Sequence, residues 1–315
     1  MVGIEEVRTA AQRLAPFVSH TPLARSGWLS DVTGGQVWLK LEMAQTTGSF
    51  KLRGAVNALA LLKAREPDAG VVTASAGNHG IAIAWAAAQL HLQARVHLPA
   101  TAPAAKRQAL ARLGATIVEA ATYDAAEIQA RDDAARSGFT YVSPYNHPDV
   151  IAGAATVALE MLNDQPDLDT LVVPLGGGGL LSGTAIVARA FPRAMLVIGA
   201  EADASPVFTS ALAAGRIVTV DVRPTLADGL AGNMEPDSRT FEIVRDRVDH
   251  VTRVRESFIE EAMRGVIAQE RFIVEGAAAT AVGALLQRDR DLAGRRVGVI
   301  LSGRNVDVDV IRRFL

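Results

Sequence analysis

LVVPLGGGGLLSGTAIVARAF, residues 171–191, sets a short β-branched run and an alanine-rich run on either side of four consecutive glycines. Leu171–Leu175 predicts a buried strand, Leu181–Phe191 a helix, and Met195–Ala200 a second strand. Strand, tight turn, helix, strand is the unit of a parallel sheet, because parallel neighbours need a crossover connection. The chain is therefore α/β. The same rhythm starts at residue 70, with Val71–Thr73, the helix Gly80–Leu90 and the strand Ala94–Leu98. Pro103–Leu113 then leads into Thr116–Val118, and Tyr123–Ser137 into Phe139–Val142, which together make one lobe. The helix Val150–Leu162 and the glycine unit begin another, closed by the helices Ser257–Gln269 and Gly276–Leu286 and the strand Val297–Leu301. Arg223–Asp237 lacks periodicity and holds Gly229, Gly232 and Pro236, so a long loop bordering the site is expected there. No repeat or flexible linker separates the lobes, and they are expected to interleave.

Composition narrows the function. A chain of 315 residues with 49% hydrophobic and 21% charged residues can bury a large core. Its 32 basic and 34 acidic residues leave a net charge of −2 and no basic surface run for a phosphate backbone, which argues against nucleic acid. The absence of cysteine excludes disulfides, thiolate nucleophiles and cysteine-ligated zinc, and is compatible with a cytoplasmic setting. The N-terminal stretch is charged and amphipathic rather than built as a signal peptide, and no apolar run reaches the roughly 20 residues of a membrane span.

Four polar or glycine-rich stretches carry candidate chemistry. In Thr46–Gly54 a polar turn enters a helix near Phe50, and Lys51 stands between Phe50 and Leu52. Partial desolvation there would lower the amine's pKa and suit it to covalent chemistry with a carbonyl; a surface lysine is the plain alternative. Ser75-Ala76-Gly77-Asn78-His79-Gly80 follows a strand and opens a helix, where free amides hold a carboxylate or phosphate. An ordinary capped turn would look similar. Gly176–Gly179 occupies the same kind of position, and phosphate is its natural guest. Ser302-Gly303-Arg304-Asn305 lies at the carboxyl end of the last strand, where ligands gather in open parallel sheets.

Other chemistries are less well served. Glu201 stands about 20 residues after the glycines, where a dinucleotide's ribose partner would sit, yet no GxGxxG frame and no P-loop lysine can be read there. Nucleotide binding, and with it a nicotinamide-dependent oxidoreductase, is the distant alternative. No HExxH or EF-hand pattern occurs, and His20, His91, His97, His147 and His250 are scattered, so no metal is expected.

Taken in order, the motifs resemble the fold-type II pyridoxal-phosphate enzymes, specifically the threonine and serine dehydratases (ammonia-lyases) with serine racemase. The pieces are HTPL at His20–Leu23, GSFKLRGA at Gly48–Ala55, SAGNHG at Ser75–Gly80, VIAG at Val150–Gly153, GGGGLLSG at Gly176–Gly183, TLADGLAG at Thr225–Gly232 and SGRNVD at Ser302–Asp307. The resemblance implies a tryptophan synthase β-like fold: two open, mostly parallel-sheet lobes with pyridoxal 5'-phosphate in the cleft. Residues 1–50 and 147–315 would form the large cofactor-binding lobe and 51–146 the small substrate-side lobe. It implies that Lys51 carries the cofactor, Phe50 packs on its ring and Asn78 bonds its phenolic oxygen. Gly176, Gly177, Gly178, Gly179 and Leu180 would cradle the phosphate, and Ser302 would face the pyridine nitrogen. Ser75, Ala76, Gly77, Asn78 and His79 would receive the substrate carboxylate. The implied reaction is loss of the α-proton to Lys51 and of the β-hydroxyl, turning threonine into 2-oxobutanoate or serine into pyruvate with release of ammonia. A homodimer acting on a small amino acid follows by the same resemblance.

Departures from the family pattern matter. Serine racemases usually carry a second Ser where this chain has Ala76, which removes the proton donor on the face opposite Lys51. The racemase-like divalent-cation site pairs a Glu matching Glu201 with an acid six residues on, here Val207. The usual Gln-Gly-Thr reads Ala154-Ala155-Thr156, which leaves open another β-hydroxy amino acid such as 3-hydroxyaspartate or phenylserine. The chain closes soon after Ser302, as expected of the short form without a regulatory domain.

Overall fold

The structure, a computed structural model, describes residues 2–315. The helix α1 (Ile4–Leu14) buries Val7, Ala10 and Leu14, one stripe at helical spacing. Strand β1 (Leu23–Ser26), helix α2 (Gly27–Thr33) and strand β2 (Gln36–Lys40) follow; Ser26 Oγ caps α2 by accepting from Leu29 N–H, and Gly34 ends it at φ +69°. The helix α3 (Lys51–Arg65) then leads into β3 (Gly70–Ala74), α4 (Asn78–Leu90), β4 (Gln93–Pro99), α5 (Ala104–Arg112), β5 (Thr116–Ala120), α6 (Tyr123–Ser137) and β6 (Thr140–Tyr141). After α7 (Pro148–Asp164) come β7 (Thr170–Pro174), α8 (Gly179–Ala190), β8 (Leu196–Ala202), α9 (Val207–Ala214), α10 (Arg239–Arg247) and β9 (His250–Val254). The chain closes with α11 (Glu256–Gly265), α12 (Gly276–Gln287), β10 (Arg296–Ile300) and α13 (Val308–Ile311).

Two sheets result. A four-stranded sheet of order β5-β4-β3-β6 is parallel throughout. A six-stranded sheet of order β1-β2-β10-β7-β8-β9 is parallel except for the antiparallel β1–β2 pair. Because β2 pairs with β10, residues from before and after the small sheet share the large one. Apolar clusters cover both faces of the large sheet: Leu171, Val173 and Val197 pack with α7 and α8, and Val172, Ile198 and Val299 with α11 and α12. Helices on both faces explain strands such as β7, whose five residues are all buried.

The expected α/β rhythm is present, with differences at the margins. The sequence pattern leaves β1, α2, β2, α9, α10 and β9 unassigned. The single helix expected over Ser257–Gln269 is instead α11 followed by a π turn, Val266–Glu270, that ends at Arg271 with φ +64°. The strand expected at Phe139–Val142 is two residues long, Thr140–Tyr141, and the Phe139 ring beside it packs over Gly70, where a Cβ would come within 2.4 Å of it.

Candidate active site

Lys51 opens α3, and two features hold its helix in place. Phe50 N–H donates to Ser302 O at 3.0 Å, and Arg304 N–H to Gly48 O at 2.9 Å, so the turn before the lysine is sewn to the segment after β10. Gly48, at φ +76°, lets Asn305 approach; a Cβ there would lie 2.5 Å from Asn305 Oδ1. One half-turn into the helix, buried Arg53 donates to Glu42 Oε2 at 2.8 Å and to Glu160 Oε1 at 2.7 Å, and Glu160 also accepts from buried Lys40 at 2.6 Å. Charges so enclosed persist only when paired, and the pairing fixes α3 against β2 and α7.

Within this frame Lys51 is half-buried, and its amine donates to Pro144 O at 2.8 Å, with Nζ 5.2 Å from the Phe50 ring centroid. Burial lowers its pKa to about 8, against the opposing pull of Glu275. Glu275 escaped the sequence reading. It precedes α12, is almost fully buried, and accepts from Asn78 Nδ2 at 2.8 and 2.9 Å through its two oxygens. Asn305 Nδ2 donates to Asn78 Oδ1 at 2.7 Å, so the Asn78 amide is oriented from both ends. Burial raises the Glu275 carboxyl above its usual range despite the Asn78 bond. A carboxylate in front of the apolar run Gly276–Ala279 was the available signal.

The glycine loop ends β7 and starts α8. Gly178 takes φ +86°, and the first helical bond runs from Ser182 N–H to its carbonyl at 2.8 Å, leaving the amides ahead of Ser182 without helical partners. Each of the four glycines faces a wall: a Cβ would meet Leu230 Cα at 2.9 Å from Gly176, the Tyr145 ring at 2.2 Å from Gly177, Phe208 at 2.6 Å from Gly178, and Tyr145 at 3.1 Å from Gly179. The contact with Leu230 brings the Arg223–Asp237 stretch to the site's border. Ser49, Ser182 and Thr184 are buried with hydroxyls that have no partner. Free amides, a close-walled cradle, orphaned hydroxyls and a half-buried lysine of lowered pKa fit a phosphate-bearing aldehyde.

A model of the family described as pyridoxal-phosphate dependent enzymes matches residues 14–303. The chain belongs to the pyridoxal-phosphate-dependent enzymes. It is 39% identical to the L-threonine ammonia-lyase of Thermotoga maritima over 100% of this chain and 78% of that protein. It is 40% identical to the L-threo-3-hydroxyaspartate ammonia-lyase of a Pseudomonas species over 96% of this chain and 95% of that one. The structure of maize serine racemase superposes with a TM-score of 0.93 at 33% identity, covering 99% of this chain and 96% of that one. Pyridoxal phosphate is the cofactor of this enzyme, and its fold is that of the fold-type II members.

Several expected site residues sit differently in this pyridoxal-phosphate enzyme than the sequence suggests. His79 Nε2 lies 3.1 Å from Val142 O; a carbonyl only accepts, so Nε2 carries the proton and the buried, partnerless Nδ1 is a bare acceptor. Its pKa falls to about 3 through burial and the nearby Lys51 charge. The His79 ring therefore cannot donate to a substrate carboxylate, and only its backbone N–H remains for that role. Leu180 turns its side chain into the core, leaving only its backbone for a ligand. Ala76 packs against the apolar cluster of Ala84, Val96 and Leu98. Ala154 and Ala155 are buried, with Ala155 against Gly183 of α8, so they pack helices. Glu201 accepts from Phe208 and Thr209 N–H at 3.0 and 2.9 Å, capping α9, and is not free to hold a ribose; the nicotinamide alternative loses its motive. Ser302 is buried at the end of β10, and Ser75 Oγ accepts from Gly77 N–H at 3.2 Å. Among the described residues no group of three His, Cys, Asp or Glu side chains gathers as a metal site, and no helix is long and apolar enough to cross a membrane.

Proposed function

We propose that this enzyme is an ammonia-lyase that eliminates water from L-threonine or L-serine and releases an enamine, whose tautomerisation and hydrolysis take water back up and give 2-oxobutanoate or pyruvate and ammonia. The observation that carries the reading is the Lys51 amine, which donates to Pro144 O beside the Phe50 ring and whose pKa burial lowers to about 8. At that pKa a useful fraction is neutral near pH 8, able to join an aldehyde and to take an α-proton. When bound, pyridoxal phosphate supplies an electron-accepting ring that eases loss of the α-proton and the β-hydroxyl. The Gly176–Leu180 amides would hold its phosphate, Phe50 its ring, Asn78 its phenolic oxygen and Ser302 its ring nitrogen. Ser302 offers a neutral hydroxyl rather than a carboxylate, which favours prompt elimination over a long-lived carbanion. The backbone amides of Ser75–His79 and the Ser75 hydroxyl would receive the substrate carboxylate.

The Pseudomonas relative favours a second reading, elimination from L-threo-3-hydroxyaspartate. We place residues 1–50 and 147–315 in a large cofactor lobe and 51–146 in a small one, supported by the strand content of the two sheets. A cytoplasmic homodimer is proposed on family grounds. A panel of threonine, serine, 3-hydroxyaspartate and phenylserine, assayed for 2-oxo acid release, tests the reading. Threonine or serine should give the highest kcat/KM, and Lys51→Ala should lose the visible cofactor band and at least about 10³-fold in turnover. Preference for 3-hydroxyaspartate would move the enzyme to the second reading. An unaltered Lys51→Ala variant would end both.

A further inference from the structure

Ser143–His147 joins β6 to α7 and touches both halves of the site at once. Pro144 O accepts from Lys51 Nζ at 2.8 Å, the Tyr145 ring lies against Gly177, and Tyr145 Cα and Cβ lie against Gly179. Nothing in this short segment is helix or strand, so its position must come from elsewhere. It comes from Glu235, in the Arg223–Asp237 stretch. Glu235 is 7% exposed and its carboxylate is shared three ways: Ser143 Oγ donates to Oε1 at 2.6 Å, Asn146 Nδ2 to Oε2 at 2.8 Å, and Arg131 Nη2 stands 3.0 Å from Oε2. Its own N–H donates to Tyr145 Oη at 2.7 Å. One residue thus grips the segment on both sides of Pro144, through Ser143, Tyr145 and Asn146. On the far side, Asn146 Oδ1 accepts from Arg239 N–H at 2.8 Å, and Thr240 Oγ1 donates to Gly177 O at 2.8 Å, so the same clasp reaches the glycine loop.

We infer that Glu235 is a positioning residue that sets the Lys51 amine and the phosphate cradle together, by holding Pro144 O on the one and the Tyr145 ring on the other. The inference deepens the functional reading and rests on it for the role of the glycine loop. A buried carboxylate suits the task because three donors converge on two oxygens, and bonds to an ionised acceptor are about twice as strong as neutral ones. An amide at this position has one acceptor oxygen, and its NH₂ group would oppose the donors of Asn146 and Arg131.

The test compares wild type, Glu235→Gln, Glu235→Asp and Tyr145→Phe, each checked for folding by circular dichroism. The first readout is the Kd for pyridoxal phosphate and the pH midpoint of its visible band. The second, on apoprotein, is the pH dependence of Lys51 labelling by an amine-reactive reagent, read by mass spectrometry. Glu235→Gln should bind pyridoxal phosphate about tenfold more weakly or worse, as loss of a charged hydrogen bond predicts. Its Lys51 labelling midpoint should move up as water reaches the amine, with Glu235→Asp between it and wild type. If Glu235→Gln does not fold, Tyr145→Phe, which deletes one hydroxyl of the clasp, should move both readouts in the same direction by less. A folded Glu235→Gln, or failing that Tyr145→Phe, with wild-type Kd, band and labelling midpoint overturns the inference. If wild type itself fails to bind pyridoxal phosphate, the functional reading falls, and the labelling arm alone decides the role of Glu235.

Discussion

The two glycine-bearing loops of the site both join a parallel strand to a helix, yet they are built in opposite ways. Around Gly176–Gly179 a Cβ at any position would come within 3.1 Å of a neighbour, and Gly178 and Gly179 are buried. At Gly77, in the tip of the other loop, the nearest atom is Ser75 Oγ at 4.0 Å, and Ser75 through Asn78 are all half-buried. Only the base of that loop is tight, where a Cβ on Gly80 would strike Ser75 O. Under the proposed assignment the difference has a physical reason. A cofactor phosphate stays in place, so a fixed mould with preset amides loses nothing by being rigid. A substrate carboxylate must enter and leave, which needs a loop with room to shift.

The largest expected effect comes from filling the mould. Gly177→Ala puts a methyl 2.2 Å from the Tyr145 ring, and a ring pinned through Tyr145 Oη to Glu235 has little freedom to retreat. We expect overpacking of about 1–3 kcal/mol in thermal stability and at least about a hundredfold loss in pyridoxal phosphate affinity. Gly77→Ala, at φ −103° with open space, should leave cofactor affinity within about threefold and affect mainly the substrate KM. Absorbance titration and melting curves of both variants measure the contrast. Equal losses in the two would break it.

The next effect separates two titratable groups of the site, Lys51 and His79, by pH. The folded Lys51 sits at about 8 against an ordinary 10.5, so between those values the unfolded chain holds the extra proton and stability of the apoprotein rises with pH. His79 sits at about 3 against 6.5, so its contribution is intact above 6.5 and is lost as pH falls toward 3. Lys51→Met removes the cost of burying a charged amine at neutral pH. It should stabilise the apoprotein there by up to about 3 kcal/mol, flatten the rise between pH 8 and 10.5, and make the acid limb shallower, because His79 loses the Lys51 charge that helps to lower its pKa. Denaturant melts of both apoproteins across pH 4–10.5 provide the check, and a variant that keeps the alkaline rise would show that another group causes it.

What the sequence made legible follows from the same contrast between local and distant causes. Both loops and Lys51 announce themselves within a few residues, because strand, glycine and helix signals stand next to one another. The long buried strands were legible for the same reason. Glu275 was not, since its meaning lies in a bond to Asn78, 197 residues away, and Pro144 meets Lys51 across 93 residues. Glu235 looked like one more polar residue in a loop. β1 and β2 were missed because LARS and QVWLK alternate poorly, and their register comes from pairing with each other and with β10. His79 is legible as the second residue of a helix that follows a strand, but its ring direction depends on Val142 O, which no spacing rule reveals.

The smallest effect expected is also the one that most sharpens the role of the open loop. Ala76 sits half-buried in that loop, packed against the cluster of Ala84, Val96 and Leu98. A methyl holds no proton, so racemisation lacks a donor on the face opposite Lys51, and wild type should convert L-serine to pyruvate far faster than to D-serine. Ala76→Ser has two possible fates. If the loop is rigid, the new hydroxyl stays against the apolar cluster, half-buried, at a cost of up to about 1 kcal/mol, and D-serine stays at the wild-type level. If the loop gives as freely as the space around Gly77 implies, that cost itself drives the hydroxyl toward the site, and a small racemase activity emerges with the cofactor band unchanged. We expect the second. Chiral chromatography after incubation with L-serine distinguishes them, with the melting temperature showing whether the burial cost was met. Rapid D-serine formation by the wild type would mean that another residue or water supplies the second proton, and position 76 would then say nothing about the choice between the two reactions.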